Sequence, residues 1–147
     1  MTPTMLLALA AAFSPSVAED CARIMPEIEY AAEVAELPVA TMLALVALES
    51  RCQFVEDAPG RMVGPAQVHW AVWGPLLAPE GWYRADLLGP WGVMAGGRVL
   101  EALRDRWQPA TDAMLLCLYS DGSAALRYET DCTYSRRVLV LAKELER

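Results

Sequence analysis

The sequence predicts an all-α domain, and three observations support that class. Apolar residues recur at helical intervals along much of the chain, as between Ile24 and Val34. Pro and Gly separate these stretches, at the points where helices end. No stretch alternates apolar and polar residues convincingly, as a half-buried strand would. With 147 residues, 55% of them hydrophobic, the chain can form one compact domain with a buried core.

Residues 1–18 allow two interpretations. Their apolar stretch is far shorter than the roughly 20 residues that span a bilayer, so no membrane span is expected. Small residues up to Ala18 are typical of a signal-peptide cleavage site, although no Lys or Arg precedes the apolar stretch. The alternative is an N-terminal helix with Thr2 as its N-cap and Pro3 in its first turn. In both cases we expect residues 19–147 to form the functional domain.

Two helices are expected between Glu19 and Ser50. The first has apolar residues at near-helical intervals with acidic residues between them, and Pro26 interrupts it. The second begins at Pro38 and continues without a charge to Glu49. Because this second helix has no polar face, we expect it to be the central helix, buried on every side.

Residues 51–92 are interrupted by Pro and Gly and are expected to form loops and short helices that line a cleft. Aromatic residues are concentrated there: Trp70, Trp73, Trp82, Tyr83 and Trp91. Plain packing is one interpretation of these side chains. The other is a groove in which the apolar faces of sugar rings stack on aromatic rings.

Three further helices are expected after Gly92. The first carries Val99 and Leu103 on one face and charged residues on the other. The second is largely buried and ends at Asp121-Gly122, a typical left-handed exit. The third places three apolar residues on one face: Val138, Leu141 and Leu145.

Charge and cysteine content argue against several classes of partner. The net charge is -7 and the 12 Lys and Arg residues are scattered, which does not suit a nucleic-acid partner. The cysteines have no CxxC spacing, and a single His leaves little to complete a metal site. We therefore expect no metal and no cofactor. Four cysteines permit one or two disulfides in an exported chain, or buried thiols in a cytosolic one, and leave the pairing open.

The apolar central helix ends in a carboxylate, Glu49, followed by Ser50. Desolvation disfavours the charged form of a carboxylate, so the pKa of Glu49 should be raised. A carboxylic acid that stays protonated near neutrality can donate a proton to the leaving oxygen of a glycosidic bond. The alternative is an ordinary helix end exposed to water. Glu49 is thus a candidate general acid.

Several short motifs follow this Glu-Ser pair. Gln67 lies eighteen residues after Glu49, in the turn GPAQV. Later segments are GGRVL from Gly96, LYSDG with Tyr119 in second place, and YSRRV from Tyr134. In order and spacing, these motifs resemble the lytic transglycosylase and goose-type lysozyme family over most of the chain.

Some positions depart from the pattern of that family. Pro65 and Ala66 stand where Leu and Met are usual, and Val99 stands where Tyr is usual. Ser120 replaces an Asn that normally contacts substrate, and Cys52 replaces an aromatic residue. The resemblance is therefore to a divergent member of the family.

The resemblance implies a lysozyme-like helical fold with a substrate cleft, and peptidoglycan lytic transglycosylase activity. Glu49 would protonate the β-1,4 glycosidic oxygen between N-acetylmuramic acid (MurNAc) and N-acetylglucosamine (GlcNAc). It would then act as base on the muramic 6-hydroxyl, which closes a 1,6-anhydro ring. Gln67 would bind the acetamido group or the ring, and Tyr134 would help to orient Glu49. The substrate-binding residues implied by the resemblance are Ser50, Gln67, Tyr119, Ser120 and Tyr134.

Two alternatives remain open at this point. Glu56, Asp57 and Asp86 fall in the loop region and could place a second carboxylate near Glu49. Water could then attack, and the enzyme would be a lysozyme-like hydrolase of the same bond. The other alternative is an inactive wall-binding or assembly module, which the altered Asn and Leu-Met positions motivate.

The expected partner is a peptidoglycan glycan strand, with no nucleic acid. The small size suggests that another component delivers the domain to the cell wall. That component would be a secretion or conjugation apparatus, with the protein exported to the periplasm or cell envelope, or a phage tail, with the protein carried in the virion.

Overall fold

The computed structural model describes residues 1–57, 60–122 and 132–147. Within these ranges the chain forms eight α-helices, two short 3-10 helices and one two-stranded hairpin. The all-α class predicted from the sequence is confirmed. The α-helices are α1 (Pro3–Ala12), α2 (Pro15–Arg23), α3 (Met25–Ala35), α4 (Val39–Ser50), α5 (Trp70–Leu77), α6 (Trp91–Trp107), α7 (Asp112–Asp121) and α8 (Thr133–Glu146). The 3-10 helices are Ala78–Glu80 and Arg84–Leu88, and the strands are β1 (Met62–Val63) and β2 (Val68–His69).

Helix α1 has the start that the second interpretation of residues 1–18 describes. The Thr2 side chain caps it by accepting a hydrogen bond of 3.1 Å from the amide of Met5, and Pro3 stands in its first turn. Leu9 is fully buried. Helix α1 packs against α2 and α8, so the first residues are part of the packed fold.

The break near Pro26 has a different form from the interruption that the sequence predicts. Helix α2 ends at Arg23 and α3 begins at Met25, with Pro26 in the first turn of α3. Proline is tolerated there because the first amides of a helix have no intrahelical acceptor. Pro26 therefore lies at the start of a helix and does not kink one.

Helix α4 is the central helix. Every residue from Ala40 to Ala47 is buried, and the helix packs against α3 and α8. Its first residue, Val39, and its last turn, from Leu48 to Ser50, are partly exposed. Burial of a Leu side chain contributes roughly 1.5–3 kcal/mol, so α4 supplies much of the apolar stabilisation of the core. The buried central helix predicted from the sequence is confirmed, and its carboxylate lies at the edge of the core.

The hairpin of β1 and β2 carries the turn that contains Gln67. Its strands are antiparallel, and Val63 pairs with Val68. Strands of two residues are too short to show alternation, which explains why they were not predicted from the sequence. The turn depends on Gly64, which has a φ of +79° and on which a Cβ would lie 1.6 Å from the carbonyl oxygen of Leu87. No other residue fits this position.

Helix α6 supports the turn from below through a second glycine. A Cβ on Gly96 would lie 2.6 Å from the Cβ of Ala66 and 3.4 Å from the Tyr119 hydroxyl. The absence of a side chain at Gly96 therefore lets the turn and α7 meet on the surface of α6.

Two disulfides settle the pairing that the sequence left open. Cys21 of α2 is bonded to Cys52, just beyond the end of α4. Cys117 of α7 is bonded to Cys132, the N-cap residue of α8. All four cysteines of the chain are thus paired. The first bond joins the last turn of α2 to the end of α4, and the second joins the middle of α7 to the start of α8.

In the described ranges, no single helix is long and apolar enough to cross a membrane. Helices α3 and α4 reach the required length and composition only when taken together, and they are bent by 116° where they meet.

Candidate active site

A cleft of about 280 Å³ opens where α4 ends. The last turn of α4 forms its floor, and the hairpin, the end of α7 and the start of α8 form its walls. Five of the six site residues predicted from the sequence line it, and only Ser50 is absent from its lining. The lining residues are Leu48, Glu49, Met62, Gln67, Tyr119, Ser120, Tyr134 and Arg137.

Glu49 places a carboxylate in the lining of this cleft, and it is partly buried. Burial raises the pKa of Glu49 above the usual carboxyl value, while a hydrogen bond from Tyr134 and the positive charge of Arg137 oppose the rise. The net direction is upward, as the apolar helix predicted. Glu49 therefore retains a proton to higher pH than a hydrated helix-end carboxylate does.

Tyr134 fixes the orientation of Glu49. Its hydroxyl donates a hydrogen bond of 2.6 Å to Oε1 of Glu49. Burial and the charge of Glu49 raise the pKa of Tyr134 well above its usual value, so the phenol keeps its proton and remains a donor. Its ring is placed by the first turn of α8, which begins at the N-cap Cys132. One oxygen of Glu49 is thus held by the protein.

Gln67 is held in the hairpin turn by its own amide. The backbone adopts a left-handed conformation with φ of 51°, which is uncommon for a residue other than glycine. Its Nε2 donates to the carbonyl oxygens of Gly64 at 2.9 Å and Val55 at 3.2 Å. Because both amide donors are used on the backbone, the group that Gln67 can offer to the cleft is the acceptor Oε1.

Tyr119 and Ser50 hold the same turn from two sides. The Tyr119 hydroxyl donates a hydrogen bond of 2.5 Å to the carbonyl oxygen of Ala66. Burial raises the pKa of Tyr119 well above its usual value, which keeps this donor protonated. The Ser50 hydroxyl is 2.7 Å from the carbonyl oxygen of Pro65 and 3.3 Å from that of Val46.

Two of the predicted binding residues have hydroxyls that already bond to the turn. Ser50 is absent from the described lining of the cleft and donates to the carbonyl oxygen of Pro65, so its contact with substrate stays a prediction. Tyr119 does line the cleft, but its proton is also used on the turn. Ser120 is exposed at the cleft, and its hydroxyl donates to Oδ1 of Asp121 at 3.0 Å.

The three loop-region acids named above, Glu56, Asp57 and Asp86, are not among the described lining residues of the cleft. Glu56 forms an ion pair with Arg84, and Asp57 accepts from the amide of Met62 at 2.8 Å. Asp86 accepts from the amide of Tyr83, also at 2.8 Å. Among the residues described as lining the cleft, Glu49 is the only carboxylate. Glu129 and Asp131 fall in residues 123–131, outside the described ranges.

The aromatic cluster does not form the walls of this cleft. Trp70, Trp73 and Trp82 are partly buried against the core, which agrees with the packing interpretation. Tyr83 and Trp91 are exposed, at 74% and 59%. None of the five is among the lining residues, so the expectation of a sugar-stacking groove is not met in this cleft.

Sequence reasoning missed Arg137 and Met62, which also line the cleft. Arg137 comes three residues after Tyr134 on α8, so the two side chains share a face of that helix. That three-residue spacing could have predicted Arg137 as a neighbour of Tyr134 in the site. Met62 gave none, because its place depends on the two-residue strand β1.

Within the described ranges, no group of three or more His, Cys, Asp or Glu residues is arranged to hold a metal ion. Comparison with known protein families, with curated proteins and with solved structures finds no match to this chain. The chemistry of the site is therefore argued from its own residues.

Proposed function

We propose that this chain is a peptidoglycan lytic transglycosylase with a lysozyme-like fold. It would cleave the β-1,4 bond between MurNAc and GlcNAc and leave a 1,6-anhydro-MurNAc end. The observation that carries the proposal is Glu49: one carboxyl with a raised pKa, oriented by Tyr134, in an open cleft at the end of a buried helix.

The first step uses Glu49 as an acid. Protonated Glu49 gives its proton to the glycosidic oxygen as the bond from that oxygen to C1 of MurNAc breaks, and GlcNAc leaves with a new hydroxyl. The raised pKa supplies the protonated form at pH values where an exposed Glu is ionised. With Oε1 held by Tyr134, Oε2 is the oxygen available to the substrate.

The second step uses the same residue as a base. Ionised Glu49 takes the proton of the muramic 6-hydroxyl while the oxygen of that hydroxyl bonds to C1, and this closes the anhydro ring. Glu49 is then protonated again, so the cycle needs no other acid or base. The attack is intramolecular, so no second carboxylate is required to activate a water molecule. Glu49 as the only carboxylate among the described lining residues suits this course better than hydrolysis.

Gln67 supplies recognition. An acetamido group carries an N–H donor, and Oε1 is the acceptor that Gln67 has left for the cleft. Ser50 and Tyr119 hold the carbonyls of Pro65 and Ala66, so the turn that presents Gln67 is fixed against α4 and α7. A binding group on a loop needs such support to keep a productive geometry.

The cellular setting belongs to the same proposal. The domain, residues 19–147, would open the wall locally for a secretion or conjugation apparatus, or for a phage tail. The protein would act in the periplasm or cell envelope, or enter with the virion. Two disulfides favour an oxidising location, since thiols are kept reduced in the cytosol.

The reaction course is tested by digesting purified peptidoglycan in water enriched in oxygen-18 and weighing the soluble fragments by mass spectrometry. The proposal predicts 1,6-anhydro ends with no heavy oxygen, because no water is added. Reducing ends that carry oxygen-18 would establish the lysozyme-like hydrolase instead. No fragments from walls that a control enzyme opens, together with pelleting of the protein on those walls, would favour the inactive wall-binding module.

A further inference from the structure

Arg137 lies in the wall of the cleft but has no part in the two proton transfers. It is exposed, and it lines the cleft together with Glu49 and Gln67. Other arginines of the chain are tied to acids, as Arg84 is to Glu56 and Arg98 is to Glu80. Within the described residues, the guanidinium of Arg137 has no hydrogen bond or ion pair. Its five N–H donors are directed to no described protein partner.

The charge of Arg137 is opposite in sign to the net charge of the chain. The chain carries a net charge of -7, so a cation in the cleft is not part of a generally basic surface. Its charge acts on the reacting group, because it opposes the rise in the pKa of both Glu49 and Tyr134. Arg137 is thus close enough to act on a charged substituent of any sugar bound beside Glu49.

We propose that Arg137 binds a carboxylate of the muramic residue at the cleavage site and so selects strands that contain muramic acid over neutral polymers of GlcNAc. This inference rests on the proposed function and names the substrate group that the same site would recognise. The carboxylate has two sources: the lactyl group of a muramic residue that carries no peptide, and the peptide stem of one that does. Arg binds either as a planar, bidentate donor.

The same contact would protect the acid. A substrate carboxylate beside Glu49 would disfavour the ionised form that Glu49 must reach after its first proton transfer. A guanidinium between the two charges offsets that repulsion. Arg137 would therefore serve recognition and keep Glu49 able to act as a base in the second step.

Binding measurements on the full chain test this inference without requiring turnover. The Glu49→Gln variant is titrated by calorimetry with three oligosaccharides of equal length. One contains only GlcNAc, one alternates GlcNAc with MurNAc that has a free lactyl group, and one carries peptide stems on its MurNAc residues. The titrations are repeated with a double variant that carries Arg137→Gln as well as Glu49→Gln. Arg137→Lys in the same background is the conservative variant. Arg147→Gln, the same change of charge at the end of the chain, is the matched control.

We expect Arg137→Gln to weaken binding of at least one muramic oligosaccharide about tenfold and of the GlcNAc oligosaccharide less than twofold. The oligosaccharide that loses affinity identifies the source of the carboxylate. Arg137→Lys should recover part of the loss, and Arg147→Gln should change nothing.

Equal weakening of all three oligosaccharides by Arg137→Gln, or no weakening of any, would overturn the inference, as would failure of all three to bind. The outcome is separable from the proposed function. If the wild-type chain cleaves no peptidoglycan, the proposed transglycosylase activity is contradicted. If oligosaccharide binding still depends on Arg137 as expected, the recognition of the carboxylate by Arg137 is supported all the same.

Discussion

The end of α4 and the hairpin turn both contribute to the lining of the cleft, and they hold their candidate functional residues by different means. Glu49 is placed by apolar packing, since the residues from Ala40 to Ala47 before it are all buried. Gln67 is placed by hydrogen bonds, from its own amide and from the hydroxyls of Ser50 and Tyr119 to the turn. An acid needs a dry, rigid site, whereas a binding group needs a fixed direction. Each region supplies what the role proposed for its residue requires.

This comparison predicts that substitutions in the buried part of α4 mainly lower the free energy of unfolding. Leu45→Ala removes a fully buried side chain from the middle of α4. We expect the free energy of unfolding to fall by about 2–5 kcal/mol, because a cavity remains in the core. Urea unfolding measures the change. Leu7→Ala, at a side chain that is 72% exposed on α1, is the control and should stay within about 0.5 kcal/mol of wild type. Equal losses in the two variants would contradict the assignment of α4 as the core.

The disulfide Cys21–Cys52 also holds the end of α4, because it bonds the residues just beyond that helix to α2. Replacing both cysteines with Ala should lower the free energy of unfolding by about 2–4 kcal/mol, since the unfolded chain is then less constrained. The matched variant replaces Cys117 and Cys132, whose separation is 15 residues compared with 31. The shorter loop should give a slightly smaller loss in urea unfolding. Unchanged stability in both variants would show that the bonds do not hold these helices.

The hydrogen bond from Tyr134 to Glu49 predicts a change in pH dependence. Tyr134→Phe removes a hydrogen bond that lowers the pKa of Glu49, so that pKa should rise further. Activity that requires protonated Glu49 falls as pH rises through this pKa, so the alkaline limb of the pH–rate profile should move to higher pH. We also expect kcat to fall about tenfold or more, because a charge-assisted hydrogen bond to the ionised form is lost.

The matched control for that prediction is Tyr30→Phe, at a half-exposed tyrosine on α3, which should leave both the profile and kcat unchanged. An alkaline limb that moves to lower pH in Tyr134→Phe would contradict the role given to the Tyr134 hydroxyl.

The smallest predicted effect concerns the support that Ser50 gives to the turn containing Gln67. Ser50→Ala removes the hydrogen bond to the Pro65 carbonyl and should cost about 1 kcal/mol of stability. Because Gln67 then loses support, we expect KM for soluble strands to rise about fivefold with little change in kcat. Thr4→Ala, at an exposed threonine of α1, is the control. The double variant with Gln67→Ala should be no worse than Gln67→Ala alone, and full additivity would show that Ser50 does not act through Gln67.

The same contrast explains which features the sequence reveals. The uninterrupted apolar run before Glu49 predicts a buried central helix, and the structure has one. The raised pKa of Glu49 follows from that burial. Both depend on local pattern, which sequence analysis reads well.

The other side of the cleft depends on contacts between distant segments. The roles of Ser50 and Tyr119 are set by carbonyls 15 and 53 residues away, so no spacing in the sequence predicts them. The strands of the hairpin have two residues each and no pattern. The aromatic residues between Trp70 and Trp91 suggested a sugar groove from composition alone, whereas three of them pack on the core.

The central claim is that Glu49 alone performs both proton transfers. Its most direct test is the rate at which wild type and Glu49→Gln release fragments with 1,6-anhydro ends from purified peptidoglycan, followed by mass spectrometry. Gln has nearly the same shape as Glu but neither donates nor accepts the proton that the reaction moves. The account predicts steady release by wild type and, for a correctly folded Glu49→Gln, a rate lower by at least about 100-fold. Release by Glu49→Gln at a rate close to that of wild type would contradict it.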